Sequence, residues 1–176
     1  GGGNIGLFIA QQIETDHPWV NAKVIEVNPE RAETIAKLLN RAVVLNGDVL
    51  DPDLLEEANV AETDTVVAVT DDDETNILSA LLAKRHGSKR AVSLINKETY
   101  QPLITNLGID VVVSPRNITV STILQHVRRG RIYSVHSLRE GFGELIEAEA
   151  METSPLVGKP LRDVNLPAGV IIGAVV

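Results

Sequence analysis

The chain has 176 residues, of which 44% are hydrophobic and 3% aromatic, and its formal net charge is −8. This length suits one domain and part of a second, and the aliphatic bias is typical of strands that are buried on both faces of a parallel sheet. The acidic charge argues against a nucleic-acid or anionic-lipid partner, the lack of cysteine excludes disulfide and thiolate chemistry, and no apolar run is long enough to span a membrane.

Segments with the character of helices and strands alternate as far as residue 113. The predicted helices cover 4–15, 29–39, 53–58, 72–86 and 97–107, and the predicted strands cover 22–27, 42–45, 64–69, 90–95 and 109–113. Isoleucine recurs at every fourth position of the first helix, at Ile5, Ile9 and Ile13. Alternation at this spacing is typical of βαβ units, so the sequence predicts an α/β fold with a Rossmann-like doubly wound parallel sheet and helices on both faces.

The pattern changes after residue 114. A helix is predicted over 115–129, with an apolar side formed by Ile118, Ile123, Leu124 and Val127. Further strands are predicted over 132–138, 144–151 and 170–176. We divide the chain into a Rossmann-like domain at 1–138 and a small α+β C-terminal domain at 139–176. The second part is too short to bury a core of its own, so we expect it to be truncated.

The first six residues carry the clearest motif of the chain. They read Gly-Gly-Gly-Asn-Ile-Gly, in which Gly1, Gly3 and Gly6 fit the pattern G-x-G-x-x-G. Such glycines allow a tight turn and the close approach of the backbone to a pyrophosphate, which lies at the N-terminus of the following helix. Glu26 ends a short apolar stretch about 20 residues further on, where an acid can accept hydrogen bonds from ribose hydroxyls. Together these features predict a dinucleotide site.

One element of this motif is missing, because a strand normally precedes the glycines and no residue precedes Gly1. In a doubly wound sheet that strand is central, and its two neighbours would lose their hydrogen-bond partners without it. We therefore expect the chain to be a fragment that lacks the first strand. Either a strand from another segment or chain occupies the central position, or the position is open and the loop at residues 1–6 is displaced.

The chemistry of the residues assigns parts of a ligand to parts of this site. Phosphate is expected at the backbone N–H groups of Gly3, Asn4, Ile5 and Gly6. Glu26 is expected to hold the adenosine ribose and to repel the 2′-phosphate of NADP, which favours NAD. Arg31 lies one turn into the next helix, where it could pair with Glu26, lie over the adenine, or be solvated. Thr70 and Asp71 follow a strand at the edge where ligands bind such sheets.

Other functions are less favoured by the sequence. The acids at 71–74 could bind a divalent cation, but acids in a first helical turn complement the helix dipole, and we predict no metal site. A dehydrogenase shares this fold, yet it needs a proton donor or acceptor facing the nicotinamide, and no such pair follows the sheet. A redox-sensing repressor needs a basic helix-turn-helix, of which the acidic chain shows no sign. We expect a binding protein and not an enzyme, with an NAD-dependent oxidoreductase as the alternative.

Several motifs in order resemble one known family. They are Gly-Gly-Gly-Asn-Ile-Gly (1–6), Val-Ile-Glu-Val-Asn-Pro-Glu-Arg (24–31), Leu-Asn-Gly-Asp (45–48), Ala-Val-Thr-Asp-Asp-Asp-Glu-Thr-Asn (68–76) and Val-Ser-Pro-Arg-Asn (113–117). This set resembles the RCK (TrkA-N) family, the regulators of potassium conductance, and is most similar to the C-terminal half of the nucleotide-binding subunit of Trk potassium-uptake systems. Residues 154–164 resemble the start of the small C-terminal domain that follows RCK domains.

The resemblance implies a function for the whole protein. It implies a cytoplasmic regulatory subunit, peripheral on the inner face of the cell membrane, that binds NAD⁺ or NADH, or else ADP or ATP. It further implies that the subunit changes the conformation of an integral-membrane potassium transporter, and that it forms a homo-oligomer, a dimer or a larger RCK ring. The helix at 115–129 is expected to be the dimer element that transmits the change.

The resemblance also extends the set of candidate residues. It implies that Asp48 contacts the adenine, although the bare pattern also suits a helix cap. It implies that Thr70 and Asp71 border the second phosphate or the nicotinamide half. Asn4 stands where ATP-responsive relatives often carry arginine, which favours NAD or ADP. The complete predicted set is Gly1, Gly2, Gly3, Asn4, Ile5, Gly6, Glu26, Asn28, Arg31, Gly47, Asp48, Val49, Thr70, Asp71, Ser93 and Asn96.

Overall fold

The computed structural model describes residues 1–104, 106–127, 131–138 and 143–175. These divide into two compact units, Gly1–Arg116 and Asn117–Val176. The division falls earlier than the predicted boundary at residue 138, because the antiparallel strands that follow the helix at 115–127 group with the C-terminal part of the chain. None of the helices in the described ranges combines the length and the apolar character needed to cross a membrane.

The first unit contains the predicted alternation of helices and strands. The helices are α1 (Asn4–Asp16), α2 (Pro29–Leu38), α3 (Pro52–Glu57), α4 (Asp73–Arg85) and α5 (Gln101–Ile104), and the strands are β1 (Lys23–Glu26), β2 (Val43–Asn46), β3 (Thr65–Ala68), β4 (Arg90–Leu94) and β5 (Val111–Val113). Short 3₁₀ turns lie at Val60–Glu62 and Glu98–Tyr100. The bounds agree with the predictions within two residues, except at α5. Around α5, the turns at Tyr100, Asn106 and Leu107 close through bonds to the third residue back, so no long α-helix forms.

All strands of this unit run parallel, which confirms the predicted α/β class. β1 pairs with β2, and β3, β4 and β5 form a second sheet in that order. This is the arrangement of a doubly wound sheet on either side of its central position. Among the described residues no strand lies between β1 and β3, so the predicted filling of that position from another segment is not observed.

A shared hydrophobic cluster joins the two sheets. Leu55 of α3 and Ala83 of α4 are buried, and they pack with Ile25 and Leu45 from the two-stranded sheet and with Val66 of β3. Burying a leucine stabilises a fold by about 1.5–3 kcal/mol. The helices α3 and α4 therefore hold together strands that share no backbone hydrogen bonds.

Helix α1 packs on the two-stranded sheet through Ala10, while Gly6 lies against Gly1. Gly6 and Ala10 are buried, and Ala10 belongs to a cluster with Val24 and Ile35. The predicted apolar face at 5, 9 and 13 is therefore only partly correct, because Ile5 is 46% exposed. An alanine at position 10 lets the helix approach the sheet more closely than isoleucine would.

The second unit contains a helix and a β-ribbon. Helix α6 (Pro115–Val127) leads into it, and β6 (Arg131–Ser137) pairs antiparallel with β7 (Glu144–Glu149). The predicted helix end at 128–129 and residues 139–142 lie outside the described residues, as do the side chains of Leu124 and Val127. The predicted strand at 170–176 is wrong over 170–175, where the chain pairs with no other strand of the described part.

Candidate functional site

The glycine loop, defined here as residues 1–6, lies where the carboxyl ends of the two sheets meet. A Cβ atom built on Gly1 would lie 3.2 Å from both the carbonyl oxygen of Val69 and Cγ2 of Thr70, directly after β3. One built on Gly2 would lie 3.2 Å from Oε2 of Glu26, at the end of β1. The expectation that an open central position displaces the loop is therefore wrong, because the loop contacts both sheet ends.

Packing against the backbone requires glycine at Gly6, a Cβ atom on Gly2 would displace only the end of a side chain, and Gly3 faces open space. A Cβ atom on Gly6 would overlap the carbonyl oxygen of Gly1, and one on Gly2 would overlap Cδ1 of Ile35. Around Gly3, by contrast, no atom of the described residues other than its chain neighbours and its own helix lies within 4 Å of such a Cβ. The surface above Gly3 is therefore accessible to a ligand that approaches the backbone closely.

The start of helix α1, beside this open surface, has N–H donors that no acceptor within the helix satisfies. Gly3 occupies the N-cap position without a side-chain cap, and the first backbone bond of the helix runs from the N–H of Leu7 to the carbonyl of Gly3. The N–H groups of Asn4, Ile5 and Gly6 consequently have no acceptor within the helix. Free amides and the positive end of the helix dipole together favour phosphate.

The peptide groups at Gly2 are held by two side chains from the β1–α2 segment. The N–H of Gly2 donates to Oε2 of Glu26 at 2.6 Å, and Nε of Arg31 donates to the carbonyl oxygen of Gly2 at 2.8 Å. The N–H of Asn28 donates to the other oxygen of Glu26, Oε1, at 2.9 Å. The bond from Arg31 to the loop differs from the three expected roles of this side chain, which were pairing with Glu26, lying over the adenine and solvation. Each oxygen of Glu26 retains lone-pair capacity for a ribose hydroxyl.

The loop after β2 lies beside the end of β1. The N–H of Gly47 and Nδ2 of Asn46 both donate to the carbonyl oxygen of Glu26, at 3.0 and 2.8 Å. Asp48 is exposed, and its carboxylate accepts from the N–H of Leu50. The cap of α3 is instead Asp51. Gly47 is thus bonded to the backbone of Glu26, Asp48 follows it in the chain, and Asp48 is not the cap of α3.

Not every predicted residue faces this edge. Val49 packs against the cluster around Leu55. Ser93 on β4 is fully buried, and its hydroxyl has no hydrogen-bond partner among the described residues. Asn28 caps helix α2 by accepting from the N–H of Arg31 at 3.0 Å. Burial argues against a direct ligand contact from Ser93, and the bonds of Asn28 show a structural role.

Asn76 organises the end of β3, and sequence reasoning missed it. This side chain is fully buried and bonds to the N–H, the carbonyl and the hydroxyl of Thr70. Asp71, the next residue, is exposed. The sequence signals for Asn76 were its place at the end of the motif at 68–76 and the presence of an asparagine, a weak helix former, just inside a predicted helix.

Asp73 plays a corresponding part at the end of β4. It is 4% exposed, and its carboxylate accepts from the backbone N–H groups of Asn96 and Lys97 at 2.9 and 2.8 Å, and from Nδ2 of Asn96 at 3.1 Å. The predicted contact Asn96 is therefore held at the sheet edge by a residue of α4.

Asp72 and Glu74 of the acidic segment at 71–74 also have protein partners. Asp72 caps α4 by accepting from the N–H of Thr75 at 2.7 Å. Hydrogen bonds from Lys97 and Tyr100 lower the pKa of Glu74 to about 2. Among the described residues, no group of three or more potential ligands is arranged to hold a metal ion.

Comparison with known proteins relates this arrangement to one family and several structures. Residues 1–115 match the family model of the TrkA-N domain. The chain is 57% identical over 176 residues to the Trk system potassium uptake protein TrkA of Azorhizobium caulinodans, and the match covers 100% of the chain and 38% of that protein. The chain thus spans about two-fifths of the length of the curated relatives it matches.

Solved structures with low sequence identity share the fold. The TrkA-N domain of the inner membrane protein ybaL from Escherichia coli matches with a TM-score of 0.65 at 15% identity, over 73% of this chain and 93% of that one. The GsuK channel bound to NAD matches with a TM-score of 0.58 at 15% identity, over 74% of this chain and 23% of that one. The GsuK structure bound to ADP matches with a TM-score of 0.55 at 18% identity, over 65% of this chain and 29% of that one.

Proposed function

This chain belongs to the TrkA-N domain family, and from that premise we propose that it is part of a cytoplasmic regulatory subunit of a potassium-uptake system. In this proposal it binds NAD⁺ or NADH, or an adenine nucleotide such as ADP or ATP. The observation that carries the proposal is the joint placement of Glu26 and the glycine loop at the meeting point of the two sheets. Relatives named as potassium uptake proteins, and a similar channel solved with NAD and with ADP, support it.

The residues at the site fit a dinucleotide. Glu26 would hold the adenosine ribose, with Gly47 and Asp48 beside it. The free amides at the start of α1 would hold the phosphates above Gly3. Thr70, Asp71 and Asn96 would border the second half of the ligand. A carboxylate at the ribose disfavours the 2′-phosphate of NADP.

Regulation would follow from unequal binding to two conformations. A ligand shifts a conformational equilibrium only by the difference between its affinities for the two states. A dinucleotide across this site would contact both sheets of the first unit, and helix α6 leads from β5 into the second unit. We propose that α6 also joins two copies of the chain, because Ile118, Val120 and Ile123 are 57%, 48% and 55% exposed along this helix, and a contiguous exposed apolar patch marks an interaction site. The remaining partner would be an integral-membrane potassium transporter.

Two measurements on the full-length protein test this proposal. Calorimetric titration with NAD⁺, NADH, ADP, ATP and NADPH should show binding of at least one ligand whose adenosine ribose carries no 2′-phosphate. NADPH, which carries this phosphate, should bind much more weakly. Rubidium flux through vesicles that contain the membrane partner should then change when that ligand is added. Oxidation of NADH by added carbonyl compounds would instead favour the oxidoreductase alternative, and failure to bind any of the five ligands would contradict both functions.

A further inference from the structure

The amide of Asn76 uses its full hydrogen-bonding capacity on two strand ends. Its Oδ1 accepts from the N–H and the hydroxyl of Thr70, both at 2.8 Å. Its Nδ2 donates to the carbonyl oxygens of Thr70 at 3.0 Å and Leu94 at 2.9 Å. An asparagine amide offers two donors and about two acceptor sites, so none remains for another partner. Since the side chain is 0% exposed, it cannot itself touch a ligand.

Thr70 connects Asn76 to the glycine loop. Its hydroxyl donates to Asn76 and accepts from the N–H of Asp72, and its methyl carbon Cγ2 and its Cα lie 3.2 and 3.3 Å from the position that a Cβ atom built on Gly1 would take. The carbonyl of Gly1 in turn meets Gly6, at the first turn of α1. A chain of contacts therefore runs from a buried amide in α4 to the helix start where phosphate is expected.

We propose that Asn76 is a positioning residue for the nucleotide site. Through Thr70 it fixes the Gly1 end of the glycine loop, so that the amides of α1 are in place before a ligand arrives. A loop that must be ordered during binding loses affinity, by about 5- to 30-fold for each residue that becomes ordered. The ligand in this inference rests on the proposed function, whereas the positioning of the loop does not.

The test compares variants of the full-length protein. Asn76→Ala removes the amide, and Ser88→Ala is the matched control. Ser88 is 4% exposed and donates one hydrogen bond to the carbonyl of Arg90, in the turn that connects α4 to the amino end of β4. The control therefore weakens a buried polar contact of the same helix–strand unit at the opposite edge of the sheet.

Two readouts are expected to separate positioning from general loss of stability. Hydrogen exchange of the ligand-free protein should become faster at residues 2–7 in Asn76→Ala and should stay unchanged there in Ser88→Ala. The affinity for NADH should fall by about 5- to 30-fold in Asn76→Ala, while the affinity for adenosine, which reaches only the Glu26 side, should stay within about twofold of the parent.

A second pair of variants covers the case in which Asn76→Ala does not fold. Thr70→Ser removes the methyl group that faces Gly1 and keeps the hydroxyl, whereas Thr70→Val keeps a methyl group and removes the hydroxyl. Faster loop exchange in Thr70→Ser than in Thr70→Val would support direct packing on the loop. Equal loss of NADH and adenosine affinity, or unchanged exchange at residues 2–7, would overturn the inference. If the parent protein binds no nucleotide, the proposed function fails, and loop exchange alone decides whether Asn76 positions the loop.

Discussion

The carboxylate of Glu26 accepts a 2.6 Å hydrogen bond from the backbone N–H of Gly2, which lies 24 positions earlier in the chain. The residue expected to hold the ribose therefore also holds the loop expected to hold the phosphates. One acid can serve both purposes because a carboxylate has about four lone-pair sites, of which this structure uses two for backbone amides.

Replacing Glu26 with alanine should weaken NAD⁺ and NADH alike, because the two share the adenosine half. We expect a loss of about 1.5–3 kcal/mol, the range for hydrogen bonds to a charged group, measured by calorimetric titration. Glu30→Ala is the control, since it removes an exposed acid from the first turn of α2. A dissociation constant that stays the same in Glu26→Ala would remove Glu26 from the site.

Arg31→Lys should affect the glycine loop more than the adenine. Lysine keeps the charge but cannot reproduce the bond from Nε to the carbonyl of Gly2. We expect NADH to bind more weakly by about 0.5–1.5 kcal/mol, with little change for adenosine. If adenosine loses as much affinity as NADH, Arg31 acts at the adenine and not at the loop.

Charged substitutions on helix α6 should dissociate the proposed assembly. We expect Ile118→Glu with Ile123→Glu to yield monomers in sedimentation velocity, because exposed apolar side chains on this helix would be buried between two copies. Leu78→Glu, at a position 50% exposed on α4, is the matched control and should leave the assembly intact. A monomeric parent protein would contradict the proposal directly.

The acid Glu14 should make the stability of the first unit depend on pH. Backbone N–H groups of Asn40, Ala42 and Arg41 lower its pKa from 4.5 to about 2. Because the folded-state pKa is depressed, the stabilisation is present above pH 4.5 and is lost as the pH falls towards 2. Glu14→Gln should therefore lower the urea midpoint near neutral pH, and the difference from the parent should shrink through this window.

Glu33→Gln provides the control for that experiment. Its single ion pair with Lys37 is 3.6 Å long and highly exposed, and exposed pairs contribute little to stability. A Glu14→Gln variant that follows the parent at every pH would show that its contacts do not stabilise the fold.

Sequence reasoning was most successful where the signal was local. Periodicity and turn residues located every strand of the first unit, and the spacing of the glycines and Glu26 correctly placed them close together. It failed at the C-terminal strand predicted over 170–176, because an apolar run reads as a strand whether or not a pairing partner exists. The helix predicted at 97–107 was too long for a similar reason: residue type does not reveal whether a turn closes through the third or the fourth residue back.

The roles of Asn76 and Asp73 could not have been predicted from the sequence. Each depends on a partner that folding brings close, Leu94 for Asn76 and Asn96 for Asp73, at separations of 18 and 23 positions. A short polar residue near the start of a helix more often caps that helix or meets water. Ser93 was predicted as a ligand contact from its position at a strand end, and the fold buries it.

The different surroundings of the loop glycines predict different effects of substitutions at these positions. Any substitution at Gly6 must accommodate a side chain where the carbonyl of Gly1 lies. The variant protein should therefore accumulate in the cell at a lower level than the parent. A substitution to alanine at Gly3 meets no atom of the described residues beyond its chain neighbours and its own helix, so the protein should accumulate normally and yet respond poorly to nucleotide. In a library of variants, substitutions at Gly6 should therefore lower protein abundance, whereas those at Gly3 should lower the response to nucleotide.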